Sequence, residues 1–330
     1  MEQYIKGECG KFCYVCQVDT VYTLFLYLIL FPNQIEKTFF IFGSGIPKLI
    51  KKQFKNNSFE IKKRQGNFFY NLSNILRGWI LLPIVYKRFN LYSKSSFGQD
   101  HLIFSRYVIA KSSGYTLLED GIGNYTDVEK LVKFREEHYF RWYLFLFFNL
   151  LKGVVNMPMG FHPKILRIYL TGMQSIPPYN KDKISVFSIV KVWEGLPIGS
   201  KNKIKELLSS SQIFIVEEEY DLLLLTQCFS EEHWMSEEEK IKMYKDILYL
   251  DGNINKKICL KPHPREKTCY QNFFPNIKII PSHIPFELLL LTSKVHIRSA
   301  ITINSTAIYS LGENVEKTIL GIEYLKKYHI

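Results

Sequence analysis

Apolar residues along this chain gather into short runs divided by polar, glycine and proline punctuation, and the runs alternate between strand length and helix length. Residues 11–18 and 37–42 read as strands, the second closed by Gly43, Ser44 and Gly45, with a helix predicted over 20–30 between them. Residues 67–76 carry helical spacing, 79–85 and 101–104 are further apolar segments, and 115–118 is a strand that delivers Glu119, Asp120 and Gly121. Such alternation predicts parallel sheets with crossover helices. Residues 171–183 break the pattern with Gly172, Pro177, Pro178 and Asn180; 183–189 is one more strand, and 195–200 reads as a loop. The domain boundary is placed there, giving a first domain over 1–198 and a second over 199–330. Beyond it, 221–225, 257–260, 277–280 and 295–298 are strands. Residues 236–250 form a helix with Ser236 as N-cap and Glu239 in the capping-box position. Two further helices start around Ile284 to Glu287 and over 307–311.

Composition narrows the class. A chain of 330 residues that is 47% hydrophobic buries a real core, which excludes global disorder. The formal net charge of +12 biases the surface toward anionic partners. Lysine and arginine are scattered in short clusters, with no basic stripe interleaved with aromatics, so nucleic acid is not the expected partner. Cys13 and Cys16 have the spacing of half a zinc site, but no second pair matches it; buried free thiols are the better expectation, and no metal site is predicted. No cleavable leader is evident, and the apolar run 21–31 is too short to span a bilayer. The run 142–161, flanked by Arg135, Arg141 and interrupted by Lys152, reads equally as an interfacial membrane segment or as a buried helix.

The candidate chemistry lies at strand ends. In Lys261, Pro262, His263, Pro264 two prolines fix the backbone around one imidazole, and ligands of open α/β sheets sit outside the carboxyl ends of strands. Lys261 and Arg265 beside it suit a phosphate. Glu119 and Asp120 are adjacent carboxylates whose repulsion favours a proton on one, as a general base requires, although Asp-Gly is also an ordinary turn. Pro285, Phe286 and Glu287 are what a helix start favours by itself, and Glu287 is also suited to the two hydroxyls of a ribose. Ser305 and Thr306 are either an anion site or an ordinary cap. Thr226 and Gln227 follow an apolar run at a strand end and are weak evidence alone.

In order along the chain, Cys13 to Gln17, Gly98-Gln99-Asp100, Glu119-Asp120-Gly121 with Tyr125, Thr226-Gln227 before Lys240 and Tyr244, His263-Pro264, Pro285 with Glu287, and Ser305-Thr306 form a set that resembles the bacterial lipooligosaccharide sialyltransferases of glycosyltransferase family 52. The resemblance implies an α/β fold of the GT-B type, two Rossmann-like domains with parallel sheets facing a central cleft. It implies inverting transfer from CMP-sialic acid to a terminal galactose of lipooligosaccharide or capsular glycan, with no metal and no cofactor beyond the donor. Asp120 would take the acceptor proton, although the motif does not settle between it and Glu119. His263 would stabilise or protonate the leaving CMP phosphate, Ser305 and Thr306 would bind that phosphate, Glu287 the ribose, and Lys261, Pro285 and Phe286 would line the donor site. Gln17, Gln99, Asp100, Glu119 and Gly121 fall on the acceptor side. Thr306 stands where many relatives carry serine, and the hydroxyl is retained. The expected setting is the inner face of the cell membrane, with an anionic lipid surface and a second copy of the chain as further partners. The rivals are a polysialyltransferase or another nucleotide-sugar transferase on the same scaffold, a non-catalytic glycan or membrane binder, and a nucleic-acid binder resting on charge alone.

Overall fold

The computed structural model describes residues 11–61, 68–125, 147, 160–209, 217–249 and 256–328. The chain divides into two compact units, Met1–Ser210 and Ser211–Ile330. Almost all of the apolar run at 142–161 lies outside the described residues. Among the described residues, no helix is long and apolar enough to cross a membrane.

The first unit is built on a seven-stranded sheet: β1 (Tyr14–Val18), β2 (Thr38–Phe42), β3 (Ser58–Glu60), β4 (Ser95–Gly98), β5 (Gly114–Leu118), β6 (Ile165–Leu170) and β7 (Ile184–Val186). Their order is β3-β2-β1-β4-β5-β6-β7 and every pairing is parallel. Parallel strands covered on both faces are apolar throughout, and β2, with all five residues Thr-Phe-Phe-Ile-Phe buried, is the clearest case. Helix α1 (Val21–Leu30) starts at Thr20, whose hydroxyl accepts the Thr23 N–H, and eight of its ten residues are buried. Helices α2 (Lys48–Gln53), α3 (Phe68–Arg88), α4 (Ser105–Lys111), α5 (Ile189–Gly195) and α6 (Ile198–Ser209) are the other α-helices among the described residues of the unit.

Three expectations change here. The segments 67–76 and 79–85 are one continuous helix, α3, that tolerates Pro83. Gly78 lets it continue close to the core, since a Cβ there would lie 2.2 Å from the Phe104 ring. The apolar stretch 101–104 is a turn, and the strand it follows is the less apolar Ser95–Gly98. The turn buries Phe104 fully at φ 66°, which explains why an apolar run was needed without a strand. The stretch 195–200 is not a loop: it joins α5, capped by Ser188, to α6, whose Lys201 N–H reaches back to Pro197.

The second unit has a five-stranded sheet of β8 (Glu217–Leu225), β9 (Ile258–Lys261), β10 (Lys278–Ile279), β11 (Lys294–Thr302) and β12 (Glu316–Ile319), in the order β10-β9-β8-β11-β12 and again all parallel. Helices α7 (Glu237–Tyr249) and α8 (Phe286–Thr292) belong to it. The predicted capping box of α7 is present: Ser236 N–H donates to Glu239 at 2.6 Å, and Glu239 N–H returns to the Ser236 hydroxyl at 3.1 Å. The helix expected over 307–311 is instead a 3-10 turn, Thr306–Ser310. Cys16, Cys228 and Cys259 are buried free thiols as expected, whereas Cys13 and Cys269 are free but exposed.

Both sheets have the same logic. In each, the first strand of the unit is central, and successive strands are laid first to one side and then to the other. This is the doubly wound order, in which the crevice opens at the carboxyl ends where the direction of winding reverses. In the first unit that point lies between β1 and β4, and in the second between β8 and β11.

Candidate active site

In the first unit the switch point is lined by the residues just after β1 and β4: Asp19 and Thr20 from one, Gln99, Asp100 and His101 from the other. β4 approaches β1 so closely that a Cβ on Gly98 would lie 1.8 Å from the Gln17 carbonyl oxygen, and Gly98 also has φ +129°. Only glycine fits such a position. Gln17, Gln99 and Asp100 are buried and serve mainly to hold this edge together. Gln17 Nε2 donates to the Ile103 carbonyl at 2.7 Å, Gln99 Oε1 accepts the Asp19 N–H at 2.7 Å, and Asp100 Oδ2 accepts the Gly160 N–H at 2.8 Å.

The carboxylate pair after β5 divides into two roles. Glu119 is fully buried and its oxygens accept from the Tyr22 hydroxyl, from the Tyr125 hydroxyl at 2.5 Å, and from Thr171 through its N–H at 2.7 Å and its hydroxyl at 2.8 Å. Every one of those donors is neutral. Asp120 stays 19% exposed. Its Oδ1 accepts from the hydroxyls of Thr20 at 2.9 Å and Thr23 at 3.3 Å, and its Oδ2 lies 3.2 Å from His101 Nε2. Gly121, at φ +82°, turns the chain so that the Asn124 side-chain oxygen takes the Asp120 N–H at 2.6 Å. Burial pulls the His101 pKa down, but the hydrogen bond and charge of Asp120, with Asp100 and Asp19 behind, outweigh it and hold the imidazole above its ordinary value. His101, Thr20 and Thr23 were not among the sequence candidates. The available signal was position: His101 directly follows Gln99-Asp100 at a strand's carboxyl end.

In the second unit, Lys261 ends β9 and His263 follows in the proline-bounded turn. The buried Lys261 ammonium donates to the carbonyls of Pro262 at 3.1 Å and Ser282 at 3.0 Å, so it ties the His263 turn to the loop before α8. Burial lowers its pKa to about 8, against the opposing charges of Glu287 and Glu266. His263 is half-buried; its Nδ1 accepts the Arg265 N–H at 3.2 Å, and its own N–H donates to Glu266 at 2.6 Å. Burial, with the Arg265 and Lys261 charges, pushes its pKa down to about 4. The ring is therefore neutral near pH 7 and, with Nδ1 accepting, carries its proton on Nε2.

Across the switch point, Gln227 Oε1 accepts the Asn304 N–H at 2.8 Å, and the Thr302 hydroxyl links the Leu225 carbonyl (2.9 Å) to the Ser305 N–H (3.1 Å). Ser305 and Thr306 are partly exposed at the start of the 3-10 turn. Pro285, Phe286 and Glu287 are buried at the start of α8, and Glu287 Oε1 accepts the Ser310 hydroxyl at 2.8 Å. Glu266 was also missed by the sequence, although its partners Thr226, Lys240 and His263 were read there; a glutamate three residues past a histidine carries no motif. Among the described residues, no group of three or more His, Cys, Asp or Glu side chains stands together as metal ligands would.

Two doubly wound α/β units, each with its polar residues at the carboxyl-end switch point of a parallel sheet, define a protein of the GT-B fold class. Its structure is similar to that of an alpha/beta-galactoside alpha-2,3-sialyltransferase from the luminous marine bacterium Photobacterium phosphoreum, with a TM-score of 0.55 and 14% identity over 93% of this chain and 90% of that one. The chain belongs to glycosyltransferase family 52, whose model matches residues 53–324. It is also 33% identical over 218 residues to a Haemophilus influenzae protein of uncharacterized function, covering 65% of this chain and 64% of that protein.

Proposed function

We propose that this chain is a sialyltransferase that moves sialic acid from CMP-sialic acid to a terminal galactose of a lipooligosaccharide or capsular glycan, with inversion and without a metal. Asp120 accepts the proton of the acceptor hydroxyl as its oxygen bonds to the anomeric carbon. The bond from that carbon to the CMP phosphate breaks, and the electron pair leaves with the phosphate. Charge grows on the phosphate, so donors belong there. His263 offers its Nε2–H, Ser305 and Thr306 their hydroxyls, and Glu287 accepts from the ribose. Lys261 contributes by holding the His263 turn and by its positive charge. The reaction takes place at the cytoplasmic face of the membrane that carries the acceptor, where the +12 charge of the chain favours anionic lipid. A second copy of the chain is a further partner.

The observation that supports this best is the asymmetry of the acidic pair: Glu119 is spent on four neutral donors, while Asp120 keeps an exposed edge between two threonine hydroxyls and an imidazole. With CMP-sialic acid and a galactoside array, CMP release is expected from the native chain and should fall about 100-fold or more in Asp120→Ala. Mass spectrometry of the products identifies the acceptor and linkage, and sialylated acceptors in the array separate single transfer from polysialyl extension. No CMP release above the Asp120→Ala level would overturn the proposal.

A further inference from the structure

Beneath the His263 turn lies a buried polar network that no step above uses. The Glu266 side chain is fully enclosed, and its two oxygens take different tasks. Oε2 accepts the His263 N–H at 2.6 Å and the Thr226 hydroxyl at 2.5 Å; Oε1 accepts the Tyr270 hydroxyl at 2.5 Å and lies 3.6 Å from Lys240 Nζ. Lys240, buried as well, donates to Thr268 at 2.6 Å and lies 3.1 Å from both Glu231 and Glu237. Those partners in turn grip the same turn. Glu231 accepts the Lys267 N–H at 2.6 Å, Glu237 accepts the Thr268 hydroxyl at 2.6 Å, and Glu232 pairs with Arg265 at 2.8 Å. The turn from 263 to 268 is therefore held at two main-chain N–H groups, those of His263 and Lys267, and through the side chains of Arg265 and Thr268, and one carboxylate takes the N–H of the histidine itself.

We propose that Glu266 is a positioning residue for His263, clamping the turn so that the imidazole is presented as its Nε2–H tautomer with that N–H free for the ligand. The clamp acts through geometry. With the His263 N–H tied to Glu266, the turn brings the Arg265 N–H onto Nδ1, which makes Nδ1 an acceptor and leaves the proton on Nε2. A carboxylate suits this task better than a carboxamide: it accepts on both oxygens and presents no N–H to the four donors that face it. The assignment rests on the reading of His263 as the leaving-group residue, and its test is chosen to fail separately from that reading.

The experiment uses the full chain labelled with nitrogen-15 at histidine, with His263→Asn to assign the His263 signals. Glu266→Gln is compared with the native chain for tautomer by long-range nitrogen-proton correlation, for CMP affinity by calorimetry, and for turnover. The native His263 should be the Nε2–H form with a titration far below that of an ordinary histidine. In Glu266→Gln the ring should become a tautomer mixture. Turnover should then fall about 10- to 100-fold while CMP affinity changes less than about threefold, the split expected of a misplaced group and not of a lost binding contact. If Glu266→Gln does not fold, Thr226→Val and Tyr270→Phe each remove one hydroxyl from the same carboxylate and should move the same signals part of the way. A native tautomer in every folded variant overturns the proposal, whatever the turnover. Undiminished turnover in His263→Asn would instead overturn the leaving-group role, and the tautomer comparison would still decide whether Glu266 sets the ring.

Discussion

The two units solve the same problem with opposite electrostatics. Each carries candidate site residues beyond the carboxyl ends of a parallel sheet and holds that region with a glutamate whose side chain is buried. In the first unit that glutamate, Glu119, is met among the described residues by hydroxyls and an amide N–H. In the second, Glu266 shares hydroxyl and amide donors with a buried lysine that also faces Glu231 and Glu237. Neutral donors satisfy a buried carboxylate without burying a second full charge beside it. An ionic network costs more desolvation but fastens several residues of a turn together, which suits a neutral ring that must point one way.

The largest effect should come from breaking the ionic brace. Lys240→Met leaves Glu231, Glu237 and Glu266 around an apolar side chain, and a loss of about 3–5 kcal/mol is expected in denaturant unfolding of the second unit's transition. A cost below about 1 kcal/mol would place the network among dispensable pairs and remove the contrast between the units. Next is Glu119→Gln, which turns one carboxylate oxygen into an N–H facing hydroxyl and amide donors. It should cost about 1–3 kcal/mol, measured in the same way on the first unit's transition. The mildest is His101→Gln, read as pH dependence. Because the folded imidazole titrates above its ordinary value, its stabilising contribution is fully present below the unfolded value, about pH 6.5, and is lost as pH rises through the folded one. The stability gap between native and His101→Gln chains should therefore narrow on going from pH 6 to pH 8.5. A gap that widens would mean that the imidazole is not held as a cation by Asp120.

The doubly wound architecture was legible because buried parallel strands announce themselves as unbroken apolar runs, as in Phe39 to Phe42 and Leu222 to Leu225. β4 escaped notice because it is short and carries Ser95, Ser96 and Gly98, the last giving β1 its close approach, while the apolar signal sat at Phe104 in the turn that follows. The edge strands β3 and β12 have intermediate or exposed residues and no pattern to read. Among the site candidates, Asp120 and His263 stood out through their neighbours Gly121, Pro262 and Pro264, which constrain the backbone. His101, Thr171 and Glu266 have no such local mark, since each gains its role from a residue that the sheet brings to it from 19, 52 or 40 positions away.

That last contrast bears on how such enzymes can be recombined. Among the described residues, the side chains that grip the His263 turn come from one contiguous stretch, Thr226 through Tyr270, so this stretch can be exchanged between homologues as a cassette in which, of the side-chain bonds that hold the turn, only that from Lys261 to the Ser282 carbonyl crosses the junction. The Asp120 site draws on Thr20, His101 and Asp120, with Thr171 bracing its neighbour, and every crossover between those positions divides it. Chimeras with junctions flanking 226–270 should keep the geometry of the histidine turn, while junctions inside the first unit should be tolerated only where both parents share the same residues at all four positions.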